Sequence, residues 1–566
     1  YSSAASDVYK RQVVIFAIAI IKIVQRYMLE HNLHKDTINE IENKKDNFIN
    51  KNYKWILTIL ILVMAITRLY KFGKIPEYIG VDEAGAAYDA YCLANYGVDR
   101  YLNKWPLYLI NFGGGQSALY AYSTIPFIKL FGANIVSYRL PELIFFIMGI
   151  IVSYVLVDKF KDKKTALLYA FLIIICPWHI EASRNGLDCN LLAPMFMLDV
   201  LLLLIAKKDW HYVIAGIAIG ITLYTYALSW ILIPVFLLFY IIYSLYMKNI
   251  KFKQIIILGI PIVILAMPLI YLILLNRGYV SETRLGIFTI PKLPFYREGE
   301  IQVFNILKYG TEAIRTVFIN KNSIYIFIIP FFIVGLIEGI SDFIFSLARR
   351  KFSLDGFLTI TFLALYITNL TVEIGSINKI NIVYIPLLYV TTIGIIKLCE
   401  KSYIIPSVVL TILCVLFINF EIEYFDTAKT DIKNANEPYS DKEIYTITEQ
   451  IEADPNNRDA DKYFIVHYKA EPYIYPLLEK KISPYELTET KNKNPQINIP
   501  HKVSIFSFDD YSFWERALTD EAIDMINNRE KYIVVINKRY TENIEKMQVT
   551  GTTTNEYGTY KIIKNY

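Results

Sequence analysis

Runs of apolar residues, most of them close to the roughly 20 that a helix needs to cross a bilayer, recur from Tyr53 to Phe420. They predict eleven spans: Tyr53–Tyr70, Ser137–Val157, Thr165–Trp178, Asn190–Ala206, Tyr212–Tyr226, Leu228–Tyr246, Ile255–Leu275, Ser323–Ile344, Phe357–Val372, Ile382–Leu398 and Ile404–Phe420. Taken alternately, the connections sort by charge. Lys159, Lys161, Lys163 and Lys164 share one side with Lys207 and Lys208, with Lys248, Lys251 and Lys253, with Arg349, Arg350 and Lys351, and with Lys397 and Lys401. Adding or losing one span would scatter these clusters over both sides. By the positive-inside rule their side is cytoplasmic, which assigns the plasma membrane with the long connections 71–136 and 276–322 and the whole C-terminal region outside. Spans as short as Thr165–Trp178 fit helices that end at a protein-lined cavity.

Before the spans, Val13–Val24 is apolar but short and broken by Lys22, and the segment up to residue 52 is polar and Lys-rich, a cytoplasmic helix or linker. Tyr1–Gln12 (YSSAASDVYKRQ) reads as foreign, adaptor-derived sequence, so the natural N-terminus is expected to differ. The domain organisation is then 1–12 as artefact, 13–52 as apolar segment and linker, 53–420 as the membrane domain, and 421–566 as a small extracytoplasmic α/β domain. In the last, strands are expected at Tyr463–His467, Val503–Phe508 and Tyr532–Asn537 and near Thr559–Ile563, and helices at Asp441–Glu452 and Thr519–Asn528. It carries no Walker or GxGxxG motif.

Composition narrows the class further. Of 566 residues 54% are hydrophobic and 20% charged, which excludes disordered, collagen-like and disulfide-scaffold chains. The net charge of +5 is scattered through short loops, so no nucleic-acid surface is indicated. Five cysteines form no C-x-x-C pair, although Cys92 and Cys189 both fall outside and a bridge between them is open. The six histidines lack zinc spacing.

Candidate chemistry gathers in two outer connections. In the first, Asp82 and Glu83 follow the first span closely. Either Asp82 caps a helix Glu83–Asn95 that ends at Gly97, or it is a carboxylate held at the interface to take a proton or hold a metal. Gly113–Gly115 read as a turn, and Trp105, Tyr108, Tyr120 and Tyr122 as interfacial anchors. Arg139 opens the second span and either snorkels to headgroups or binds phosphate. The second connection, PWHIEASRNGLDCN, holds His179, Glu181, Arg184 and Asp188. It is either a solvated turn or an anion site, with Arg184 offering a fork to phosphate and Glu181 or Asp188 assisting a metal or acceptor.

The strings DEA..AYDAY, GVDRYLNKWPLY, FGGGQSALYAYSTIPF and SYRLPE, with PWHIEASRNGLDCN, resemble the membrane glycosyltransferases of the GT-C fold. The resemblance is strongest to bacterial relatives of protein O-mannosyltransferases and to the lipid A aminoarabinose transferase, and it covers Tyr53–Tyr246 well and the later spans loosely. It implies a polytopic, mainly α protein. The implied reaction is an inverting transfer of a hexosyl or pentosyl group from a polyprenyl-phosphate donor to a hydroxyl of protein, glycan or lipid. Asp82 becomes the catalytic base or a metal ligand, with Glu83 its catalytic partner. Arg139, Arg184 and, from the late string IGSINKINIVYIPLLY, Lys379 become contacts to donor phosphate, with His179, Glu181 and Asp188 lining the site. A divalent metal, with Asp82 and Glu181 as its ligands, is left open. The alternatives are a polyprenyl-linked polysaccharide polymerase or ligase, and a lipid-linked sugar transporter. Neither explains the acidic pair after the first span or the charges kept in loops.

Overall fold

The computed structural model describes residues 35–76, 79–112, 114–294, 302, 305–374, 376–399 and 404–427, and beyond them 453–455, 462–467, 473–493, 498–499, 503–508, 511–515, 531–537, 552–557 and 560–564. The first helix, α1 (Lys35–Leu69), joins the polar segment and the first span into one element. The connection after it holds α2 (Val81–Tyr96), a hairpin of β1 (Tyr108–Asn111) and β2 (Gly114–Ser117), and α3 (Leu119–Phe131). There follow α4 (Ile135–Phe160), α5 (Lys163–Ile175), the short α6 (Pro177–Ala182), α7 (Leu192–Ile205), α8 (Asp209–Thr222), α9 (Ser229–Tyr246) and α10 (Phe252–Asn276). A hairpin of β3 (Thr283–Leu285) and β4 (Phe288–Ile290) and helix α11 (Ile306–Ile314) lead to α12 (Ile329–Arg349), α13 (Leu354–Asn369), α14 (Tyr384–Cys399) and α15 (Ile404–Ile422).

Each of the eleven predicted spans falls on one of these helices. Among the described residues eight are long and apolar enough to cross a membrane; the other three are α5, α8 and α13, of 13, 14 and 16 residues. Local chemistry sets the ends. The Asn134 side chain accepts the Val136 and Ser137 amides at 3.0 and 3.1 Å, so α4 starts two residues before the predicted Ser137. α5 stops at Ile175 rather than Trp178 because Cys176, preceding Pro177, is pushed out of the helical region to ψ 123°. At the centre α12 and α14 cross in backbone contact. A Cβ on Gly335 would lie 1.8 Å from the Val390 carbonyl oxygen, and one on Gly394 1.8 Å from that of Phe331, so small residues set this interface.

Beyond the bundle, β5 (Lys462–His467), helices α16 (Ile474–Glu479) and α17 (Pro484–Lys493), β6 (Asn498–Ile499), β7 (Val503–Phe508), β8 (Tyr511–Glu515), β9 (Tyr532–Asn537), β10 (Thr552–Tyr557) and β11 (Tyr560–Lys564) complete the chain. The strands form one seven-stranded sheet in the order β10-β11-β9-β5-β8-β7-β6, with β5 parallel to both β8 and β9. The four expected strands are present; the expected helices Asp441–Glu452 and Thr519–Asn528 lie outside the described residues. This domain packs on α2 through a shared apolar core, and Tyr88 and Tyr91 of α2 donate their hydroxyls to the carbonyls of Ile482 and Lys481 at 2.9 and 2.8 Å. All five cysteines are free thiols, so no bridge joins Cys92 and Cys189.

Candidate functional site

The end of the bundle that carries α2 and the two hairpins, the loop face, gathers the candidate residues. Helix α2 starts at Val81 with Gly80 in the capping position and ends at Gly97, which adopts the left-handed conformation with φ 70°. Asp82 is therefore not the cap but lies in the first turn, where a carboxylate favours the helix dipole. It is exposed, and its Oδ1 accepts the Asn111 Nδ2 hydrogen at 3.2 Å.

Glu83 is turned into the protein. Its two oxygens take Arg139 Nε at 2.6 Å and Nη2 at 3.0 Å, and Oε1 also accepts the Gly186 amide at 2.9 Å. Arg139 is fully buried and donates to the Pro76 carbonyl at 2.9 Å, so it does not snorkel. Pair and amide together tie α2, α4 and the 182–191 turn into one unit, since two buried charges are tolerated where geometry and added hydrogen bonds satisfy both.

Arg184 is engaged in a similar way. Its five N–H groups reach the carbonyls of Thr67, Arg68, Tyr70 and Ile75, with Ile75 taking two, at 2.8–3.1 Å. It thus closes the C-terminal end of α1, whose last carbonyls have no partner within the helix. Arg68 in turn donates to the Ile174 carbonyl at 2.7 Å and to His179 Nδ1 at 3.0 Å. An arginine only donates, so Nδ1 accepts and the His179 proton sits on Nε2. Burial and the Arg68 charge hold His179 well below the usual imidazole range, which leaves it neutral. Glu181 lies on the far side of α6, where it accepts Asn322 Nδ2 at 2.7 Å; burial pushes its carboxyl up to about 8.

Asp188 lies within electrostatic range of Asp82. It is buried and accepts the Ser117 and Cys189 amides at 3.0 and 2.9 Å. The turn Ile377–Val383 packs beside it: Asn381 donates Nδ2 to Asn190 Oδ1 at 2.9 Å and accepts Trp178 Nε1 at 3.3 Å. Lys379 lies in this turn, half-buried, its carbonyl held by Asn369 at 2.7 Å and its amine without a partner among the described residues.

Asp188 is therefore within electrostatic range of Asp82 on one side and has the Lys379 turn packed beside its own turn on the other. Glu83, Arg139, Arg184 and His179 lie behind them as parts of the frame, and Glu181 keeps separate neighbours. Among the described residues no group of three or more His, Cys, Asp or Glu side chains is arranged to hold a metal ion. Sequence reasoning missed Asn111, Asn381, Arg68 and Glu142. Glu142, fully buried in α4 and electrostatically coupled to Asp188, had a signal, because an acid inside a span is rare; the amides had none. Of the supposed interfacial aromatics, Tyr120 is fully buried and donates to the Tyr138 carbonyl, while Trp105 stacks on Tyr122.

Residues 116–272, from β2 through α10, match the family model described as dolichyl-phosphate-mannose-protein mannosyltransferase. No curated protein matches the sequence. Among solved structures, ArnT from Cupriavidus metallidurans in the apo state aligns with a TM-score of 0.54 at 11% identity, over 91% of this chain and 98% of that one. The same protein bound to undecaprenyl phosphate aligns with a TM-score of 0.53 at 11% identity over the same shares. The Archaeoglobus fulgidus oligosaccharyltransferase tethered to an acceptor peptide aligns with a TM-score of 0.49 at 15% identity, over 89% of this chain and 71% of that one. With the helical bundle, the loop-borne α2 and the appended sheet, the two ArnT alignments establish that the chain has the GT-C fold of membrane glycosyltransferases.

Proposed function

We propose that this protein transfers a sugar from a polyprenyl-phosphate donor to an acceptor hydroxyl, with inversion, at the extracytoplasmic face of the plasma membrane. The observation that carries the reading is Asp82. It is an exposed carboxylate in the first turn of α2, at the loop face of a GT-C bundle, bonded to Asn111 and within electrostatic range of Asp188. The ArnT comparison includes a complex with undecaprenyl phosphate, which supports a lipid-phosphate donor here. The basic clusters at the opposite ends of the helices support an outward loop face.

In this reading Asp82 accepts the proton of the incoming hydroxyl as its oxygen attacks the anomeric carbon. The bond to the lipid phosphate breaks on the opposite side, which gives inversion without a covalent intermediate. Phosphate is a good leaving group, so the main requirement is fixed positive charge where its oxygens emerge. Lys379 is assigned that task. Arg139 and Arg184 are assigned to holding the frame, because their hydrogen bonds already go to Glu83 and to backbone carbonyls. Glu83 is a positioning residue, since its oxygens are taken by Arg139 and the Gly186 amide.

The test is turnover of a panel of polyprenyl-phosphate sugars by the purified protein in detergent, comparing wild type with Asp82→Asn at matched elution profiles. Removing a general base costs about 10²- to 10⁴-fold. A loss of that size with donor binding retained supports the assignment. Full activity in Asp82→Asn refutes it, and chelator treatment of the same samples tests metal dependence.

A further inference from the structure

Asp82 is held by a chain of side chains that no part of the mechanism above uses. Asp82, Gly85 and Asp89 are spaced to share one face of α2. Opposite that face stands Arg100, from the loop that follows the helix. Its Nε donates to Asp89 Oδ1 at 3.0 Å and its Nη2 to Asp89 Oδ2 at 2.8 Å, while its own backbone amide reaches Oδ1 at 3.0 Å. Nη2 also reaches the Gly85 carbonyl at 2.6 Å and Asn111 Oδ1 at 3.2 Å. Both charged side chains are fully buried, and the guanidinium lies over the Phe112 ring, 5.2 Å from its centre.

We infer that Asp89, Arg100 and Asn111 form a positioning relay that fixes the Asp82 carboxylate for its role as base, an inference that rests on the proposed function. Arg100 has no acceptor atom, so it selects the orientation of the Asn111 amide: Oδ1 faces the guanidinium and Nδ2 must face Asp82. The amide hydrogen then sets the plane of the carboxylate. An arginine placed directly on Asp82 would make it a weaker base. Here the cation is one residue removed and neutralised by Asp89, so the carboxylate is oriented by a neutral donor. Gly85 makes the arrangement fit, because a Cβ there would lie 2.5 Å from Asn111 Oδ1 and 2.8 Å from Arg100 Nη2.

The relay predicts a particular kinetic signature. Asn111→Leu should lower kcat by about 10- to 100-fold, the scale of a base misplaced by a fraction of its reach, with donor KM unchanged. In an Asp82→Asn background the same substitution should have no further effect, since residues acting as a unit are not additive. Gly85→Ala should give the same fall in kcat even though alanine favours a helix. This second variant keeps the test open if Asn111→Leu does not fold. Arg100→Lys, which keeps the charge but loses the fork, should fall between wild type and Asn111→Leu. Wild-type kcat in both Asn111→Leu and Gly85→Ala, with Asp82→Asn still inactive, would overturn the relay and leave the proposed function standing. An active Asp82→Asn would overturn the proposed function itself.

Discussion

Two adjacent carboxylates on α2 face regions of opposite character. Glu83 points into the rim of the bundle, where Arg68, Arg139 and Arg184 are each fully buried and bonded to carbonyls, to a carboxylate or to an imidazole. Asp82 points into the layer above, where it is exposed, bonded to Asn111 and within electrostatic range of Asp188. The difference follows from dielectric. A guanidinium at the boundary of an apolar bundle is stable only when its donors are met, and the nearest strong acceptors are the unsatisfied carbonyls at helix ends. The rim arginines therefore close the fold, and the layer above is where the proposed function places substrate.

The contrast breaks most visibly at the rim. Arg139→Met leaves Glu83 buried with the Gly186 amide as its remaining partner among the described residues. Stranding one charge of a buried pair costs roughly 3–5 kcal/mol, so thermal unfolding in detergent should move sharply down. Adding Glu83→Leu should recover part of the loss. Arg184→Lys should cost about 2–3 kcal/mol, because one ammonium cannot reach five carbonyl contacts and leaves buried acceptors unmet. If either variant unfolded like wild type but lost donor binding, rim and layer would have exchanged roles.

A smaller effect sharpens the other side. Lys379→Met should raise donor KM by about tenfold, as expected for one charge-assisted contact of about 1.5 kcal/mol, and leave the unfolding temperature where it was. A fall in stability with unchanged KM would place Lys379 in the frame.

Much of this was legible in the sequence, and the rest has a physical reason for being hidden. The spans announced themselves because crossing a bilayer demands long apolar runs, and their order survived because basic clusters alternate with them. The place of Asp82 in the first turn of a helix after the first span was legible, although not the Gly80 cap that precedes it. The partners of the arginines were hidden: Arg184 in PWHIEASRNGLDCN has the composition of an anion site, and its hydrogen bonds go to carbonyls at the end of α1 and just after it, more than a hundred residues away in the chain. Side-chain type shows what a residue can bind, whereas its actual partners depend on tertiary packing. Asn111 and Asn381 gave no signal for the same reason, being unremarkable until the hairpin and the late turn bring them to Asp82 and Asn190.

A last prediction concerns protons and tests the separate standing of Glu181. Burial raises its carboxyl from 4.5 to about 8, and raises buried Asp99, in the loop after α2, from 3.8 to about 7. Each binds its proton more tightly folded than unfolded, so between the two values the folded state holds more protons and stability falls as pH rises. The contribution of Glu181 is complete below about 4.5 and is lost as pH climbs through about 8. The unfolding temperature should therefore decline from pH 5 to pH 8.5. Glu181→Gln keeps an acceptor for Asn322 but cannot ionise, so it should flatten that decline while leaving donor KM alone, because Glu181 has neighbours separate from those of Asp82. A Glu181→Gln variant with a wild-type pH slope and a raised donor KM would move Glu181 from the frame into the substrate layer.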